Sequence, residues 1–304
     1  MAKKKNIKPG YMGDGQHRKN FINLLEKVAY DKSPWDVFTD FLQLAAISFA
    51  NTDIYHLATP ENVFKEREER YLKIVKSYNE KSREMLVKML AELTLELDTY
   101  APNDYRDVLG EVFHEMEFQN EWKGQFFTPQ HIATMTGKMT VNSNNIADVN
   151  KEKGYFTMLE PCTGAGAMIY GAMTGARDAG LEPTKQMLVT AIDIDERCTF
   201  MTYIQCSLYG VPAVVWHGNS LTDEAFGPPW FTPTFVIDGW NWRAPYSMLY
   251  PEGIMKRKTD ENVESPPKKK KARSKPKPKE REPTPLPPPE PVETDVKLGQ
   301  LSLF

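Results

Sequence analysis

Cysteine is scarce in this chain: three in 304 residues, Cys162, Cys198 and Cys206. None falls in a CxxC or Cys/His spacing, which argues against a zinc site or a disulfide framework and fits a reducing compartment. Long apolar runs are also lacking, so no membrane span is expected. The opening "MAKKKNIKPGYMGDGQ" is basic but has no apolar h-region, and it does not read as a signal peptide. Net charge is small as well, at −3. That figure hides an uneven spread: Lys256 to Glu282 holds twelve basic and five acidic residues, a net +7, against −10 for the rest. An acidic body with a basic strap is polarised, and the strap is the part suited to an anion.

What the chain does have is a succession of patterns. Residues 1–20 read as a flexible arm. Helical periodicity dominates from 21 to 120. In "KSPWDVFTDFLQLAAISFAN", Ser33 reads as the N-cap and Pro34 as the first helical residue, with Phe38, Phe41, Leu42, Ala45 and Phe49 on one face. "SREMLVKMLAELTLELDTYA" repeats the stripe with Ser82 as its expected cap, and a third helix is expected from Asn103. From 121 to 252 short apolar runs alternate with helical ones: "YFTMLE", 164–180, "QMLVTAID", 196–209, "AVVWHGN", "TFVIDG". Strands alternating with helices predict a parallel α/β sheet. Ten of the 23 prolines lie between Pro266 and Pro291, so 253–297 reads as a disordered linker, followed by a short terminal peptide, 298–304.

The densest chemistry lies at the expected strand ends. "FTMLEPCTGAGAM" places Glu160 and Pro161 at the end of a strand, then Gly164 and Gly166 in a turn that lets a ligand approach the backbone. "TAIDIDE" ends the next strand with Asp193, whose carboxylate can accept both hydroxyl protons of a ribose. "HGNSL" ends the third with Asn219, suited to an adenine edge. Ligands of open parallel sheets bind at these carboxyl ends.

The order "GQFFTP" (124–129), "LEPCTGAGAM", "AIDIDE", "HGNSL" resembles the S-adenosylmethionine-dependent DNA adenine methyltransferases, above all the modification subunit of type I restriction systems and its phage relatives. The resemblance covers about 100–245. It implies a Rossmann-like methyltransferase sheet, shortened, after an N-terminal helical domain and before a disordered tail. It implies S-adenosylmethionine as cofactor, with Phe127, Thr128, Pro129, Glu160, Pro161, Gly164 and Gly166 about its methionine end and Asp193 at its ribose. The family's catalytic Asn/Asp-Pro-Pro-Tyr/Phe is not present after "TFVIDG". "WNWRAPY" follows instead, so Asn241 or Asp238 is expected to orient the amino group of an extruded adenine, with Trp242 or Trp240 as a stacking platform. The further strands and the target-recognition domain of that family are also lacking here; a second subunit supplying recognition is an expected partner, beside double-stranded DNA.

"QLSLF", the last five residues, resembles the peptide with which bacterial DNA-handling proteins hold the replicative sliding clamp. Gln300 offers directed polar contacts, and Leu301, Leu303 and Phe304 can fill an apolar pocket. A coil from Lys256 to Gly299 would span roughly 35–40 Å, and "PPKKKKARSKPKPK" adds phosphate contacts without sequence information. A bacterial clamp peptide implies the cytoplasm of a bacterial cell and opposes reading that basic run as a nuclear localisation signal. Two functions follow: an adenine-N6 methyltransferase tethered to the clamp, or an inactive methyltransferase-like module that docks on it. Methylation of RNA or protein is a third, against the resemblance.

Overall fold

The computed structural model describes residues 15–52, 59–116, 127–142, 154–244 and 256–257. Among the described residues, six α-helices precede the sheet: α1 Gln16–Val28, α2 Pro34–Ala50, α3 Glu61–Lys76, α4 Glu80–Tyr100, α5 Val108–Glu115 and α6 Gln130–Thr140. Three details differ from expectation. Helix α1 begins inside the expected arm. Asn79, not Ser82, caps α4, its side chain accepting from the Ser82 amide at 2.8 Å. The helix expected from Asn103 begins at Val108, where Asp107 accepts from the Gly110 amide. Ser33 and Pro34 open α2 as the sequence predicts, though the Ser33 side chain makes no capping bond.

The sheet follows as β1 Phe156–Glu160, α7 Ala167–Asp178, α8 Pro183–Gln186, β2 Met187–Asp193, α9 Glu196–Leu208 and β3 Ala213–Asn219. Strands β1, β2 and β3 are parallel and adjacent in that order, with Glu160 opposite Ala191 and Asp193 opposite His217. This α/β arrangement agrees with a Rossmann-like fold. Helix α9 packs on β2, β3 and α2. The inward residues of the strands, Met187, Val189, Ala191, Ala213 and Val215, share one core with α1, α2, α4 and α5. The helical region and this face of the sheet are therefore cemented by a common apolar interior, which burial near 25 cal/mol per Å² makes hard to separate.

The second half of the sheet departs from expectation. "TFVIDG" was expected to be a strand, yet Pro233–Ile237 is a short helix, α10. Thr232 and Pro233 occupy the N-cap and first helical positions, where proline's fixed φ is favourable. Before it, β4 Glu224–Ala225 and β5 Trp230–Phe231 pair antiparallel with β3, and β6 Lys256–Arg257 pairs with β4. Because β5 runs against β3, the chain returns to the amino edge of the sheet: Thr232 bonds Val211 and Ala213 there. Helices α10 and α11 (Trp240–Arg243) then cover the second face, where Phe235 and Trp240 meet Leu188, Ile192, Val214 and Trp216. Over β1 that face is open, with Leu159 52% exposed. No helix among the described residues is long and apolar enough to cross a membrane. The linker and terminal peptide expected over 253–304 lie outside the described residues, apart from the pair in β6.

Candidate functional site

The turn after β1 is built from glycines that a side chain would spoil. Gly164 and Gly166 have φ of +56° and +102°, the left-handed region that L-residues avoid. The turn is also held from every side. Thr163 donates its amide to the Ile192 carbonyl at 3.0 Å. Thr202 and Gln205 of α9 donate to the carbonyls of Gly164 and Ala165, each at 3.0 Å. Tyr170, buried under the turn, donates its hydroxyl to the Ala165 carbonyl. Buried carbonyls with partners of this kind leave the loop little freedom.

Phe127 completes the wall. A Cβ on Gly164 would lie 2.9 Å from the Phe127 ring, and that ring packs against Phe113 and His114 with centroids 5.0 and 5.3 Å apart. Thr128 and Pro129 follow at the start of α6. What brings them here is the close crossing of α6 and α7. Cβ atoms on Gly137 or Gly171 would fall inside van der Waals contact with backbone atoms of the facing helix. Small residues at such crossings let two backbones approach. Of the expected "GQFFTP" segment, 124–126 lies outside the described residues.

Two carboxylates stand at the same edge. Asp193 accepts the Gly164 amide at 2.8 Å and the Asp195 amide at 2.9 Å. Glu160 accepts the Cys162 amide at 3.3 Å. Burial pushes both carboxyls above their usual range, opposed by these amide bonds, with the Asp193 charge further raising Glu160 and the Asp195 charge further raising Asp193. A site with two partly desolvated carboxylates favours a ligand carrying positive charge and hydroxyl donors, and disfavours a pyrophosphate. Pro161 is exposed beside them. Asn219 closes the third side, its Oδ1 accepting the Leu221 amide at 3.0 Å, and Cys162 Sγ lies 4.0 Å from Ser220 Oγ. Ile194 and Leu221, 62% and 92% exposed, present apolar surface next to Asp193 and Asn219. The His217 Nε2 lies 3.2 Å from the Ile194 carbonyl, which can only accept.

Asp238, Asn241 and Trp242 are not part of this assembly. They sit on and between α10 and α11, at the opposite edge. Arg243 reaches the Lys185 carbonyl, just before β2, and its own carbonyl accepts from Tyr155, just before β1. The seven residues of β2 set the two edges about 20 Å apart at about 3.3 Å per residue. Trp242 is 84% exposed, while Trp240 is buried in the second core. Gly227–Trp230, "GPPW", has two prolines and an aromatic in the order of the Asn/Asp-Pro-Pro-Tyr/Phe tetrapeptide. Gly227 has no side chain to accept an amino proton, and Trp230 is buried against Phe200, Tyr203 and Arg67. Gln300, Leu301, Leu303 and Phe304 lie outside the described residues.

No family model matches the chain, and no curated protein or solved structure matches it either.

Proposed function

We propose that this chain binds S-adenosylmethionine at the carboxyl edge of its sheet and transfers the methyl group to adenine N6 in DNA, held near the replicative clamp by Gln300, Leu301, Leu303 and Phe304. One observation carries the reading: Glu160, Gly164, Asp193 and Asn219 converge on one edge, one from each strand end or the turn between. The two carboxylates suit the sulfonium and ammonium charges of the cofactor, Asp193 suits its ribose hydroxyls, and Ile194 and Leu221 offer apolar contact to a purine. In the transfer, the adenine N6 lone pair forms the new C–N bond. The C–S bond would break with its electrons returning to sulfur, and the N6 proton would pass to water. The donor is already activated, so positioning and exclusion of water supply most of the rate.

A second reading has its own support. The distance between the cofactor edge and Asp238, Asn241 and Trp242 favours a methyltransferase-like module that binds the cofactor and docks on the clamp, with the amino-group acceptor absent or brought by a second subunit.

Calorimetry with S-adenosylmethionine, followed by mass spectrometry of nucleosides from DNA incubated with labelled cofactor, with and without clamp, separates them. Under the first reading the cofactor binds, N6-methyladenine forms, and the clamp raises the rate. Asp193→Asn, which keeps an acceptor oxygen but removes the charge, weakens cofactor binding about tenfold or more. Binding without label in DNA selects the module. Absence of cofactor binding removes both.

A further inference from the structure

A cavity of about 130 Å³ opens at the carboxyl edge of the sheet on the α3 and α9 side. Its walls come from α3, the first residue of α9, the end of β3 and the segment after β4, and include Arg67, Arg70, Glu196, His217, Phe226 and Gly227. Arg67 is only 6% exposed. Its guanidinium stacks on the Trp230 ring at 3.7 Å, and Nη2 donates to the Pro229 carbonyl at 3.0 Å. A guanidinium has five N–H donors, so most of its donor capacity is unused by the described residues.

The neighbouring charges do not neutralise it. Arg70 and Glu196 form a two-pronged pair, both contacts 2.7 Å, and Arg70 Nε donates to Gln43. That pair is satisfied within itself. Glu66, the other acid on the wall, is exposed to water, where a charge offsets a buried cation only weakly. Burial lowers the Arg67 guanidinium to about 10. No Arg67 nitrogen is both sealed from solvent and without a partner, so its remaining donors face the open volume, where an anion competes with water for a charge-assisted fork.

We propose that this cavity is an oxyanion site that takes a phosphate group, with the Arg67 fork as its principal donor. Planar guanidinium and tetrahedral phosphate form paired, charge-assisted hydrogen bonds, and the cavity has room for several waters' worth of ligand. The cationic cofactor does not belong here, because Arg67 would repel it. His217 lies on this wall and is the strand partner of Asp193, so a phosphate bound here sits next to the carboxylate cradle. Its source is either a free phosphate ester or the backbone of a nucleic acid laid along this edge. The assignment stands whether or not the cradle binds S-adenosylmethionine.

The test uses the full chain at constant ionic strength, with chloride as the control ion. Calorimetry and thermal unfolding are run against inorganic phosphate and against a short DNA duplex. Phosphate is expected to bind saturably. Gly227→Leu should impair this: Gly227 lines the cavity and a Cβ there meets nothing within 4 Å, so added bulk at the wall is tolerated by the fold, and the melting temperature without phosphate stays put. Arg67→Gln should abolish it, and Glu66→Gln should tighten it about two- to fivefold. Duplex binding weakened by Arg67→Gln identifies the backbone as the source; duplex binding untouched by it identifies a free ester. The proposal is overturned if wild type shows no phosphate effect beyond chloride and no Arg67→Gln-sensitive duplex binding, or if phosphate binding survives in a folded Arg67→Gln variant.

Discussion

The two edges of the sheet carry similar residues and differ in what surrounds them. Each has an acid near a glycine in the left-handed region, Asp193 beside Gly164 and Asp238 beside Gly239, and each has an aromatic within reach. At the carboxyl edge the acids are partly desolvated, bonded to backbone amides and walled by Phe127. At the amino edge Asp238 is exposed, Trp242 projects into solvent, and Trp240 is used to cover the sheet. Motif composition alone does not distinguish a site from a surface; convergence and burial do.

The largest effect is expected where the carboxyl edge depends on helix packing. Gly171 faces the Ala133 carbonyl across the α6–α7 crossing. Gly171→Val must push the helices apart, at about 3 kcal/mol, the upper part of the usual overpacking range. Phe127 and Pro129 lead into α6, so on the proposed reading the same variant should lose affinity for S-adenosylmethionine along with melting temperature. Thermal denaturation and calorimetry on one preparation check both. A normal melting temperature would show that the two helices do not approach as closely as described.

A smaller effect separates charge from shape behind the cradle. Asp107 is buried, bonded to Gln205 and the Gly110 amide, and Gln205 in turn holds the Ala165 carbonyl of the glycine turn. Burial raises the Asp107 carboxyl to about 6, against those bonds. An unfolded aspartate titrates near 4. A raised carboxyl means the folded state holds its proton more tightly, so the ionisation penalty is absent below about pH 4, grows up to about pH 6 and is complete above it. Asp107→Asn should therefore remove a loss of stability between those values, and be more stable than wild type at neutral pH by about 1–3 kcal/mol. Urea denaturation at pH 4, 5, 6 and 7 reads this as the difference between the two proteins. An equal difference at every pH would mean Asp107 does not titrate in that window.

Much of the carboxyl edge was legible in the sequence, because periodicity fixes strands and glycines fix the turn. The runs at 156–160, 187–193 and 213–219 became β1, β2 and β3 within a residue or so of expectation. The amino edge was not legible, because its position depends on β5, a strand of two residues whose antiparallel pairing reverses the chain. A short apolar run such as "TFVIDG" is compatible with strand or helix, and only the preceding Thr-Pro hinted at the helix. Arg67 was invisible for another reason. In "KEREERYLK" it reads as one more charge on a solvated face, and nothing local reveals that Trp230, 163 positions later, will cover it.

The smallest expected effect tests the comparison most directly. Asp238→Ala, Asn241→Ala and Trp242→Ala alter side chains about 20 Å from the cradle by the length of β2. Surface substitutions away from packing or bonding features change stability by about 0.5 kcal/mol or less. On the proposed reading, affinity for S-adenosylmethionine should be unchanged in all three. Methylation, if present, should be unchanged as well, since a base bound at the carboxyl edge cannot touch these groups. A variant that keeps cofactor affinity but loses methylation would mean that the amino edge contributes to the reacting centre, through a second copy or a partner that brings the two edges together. That outcome would restore the role the sequence suggested for Asn241 and Asp238, by a route that one chain alone does not provide.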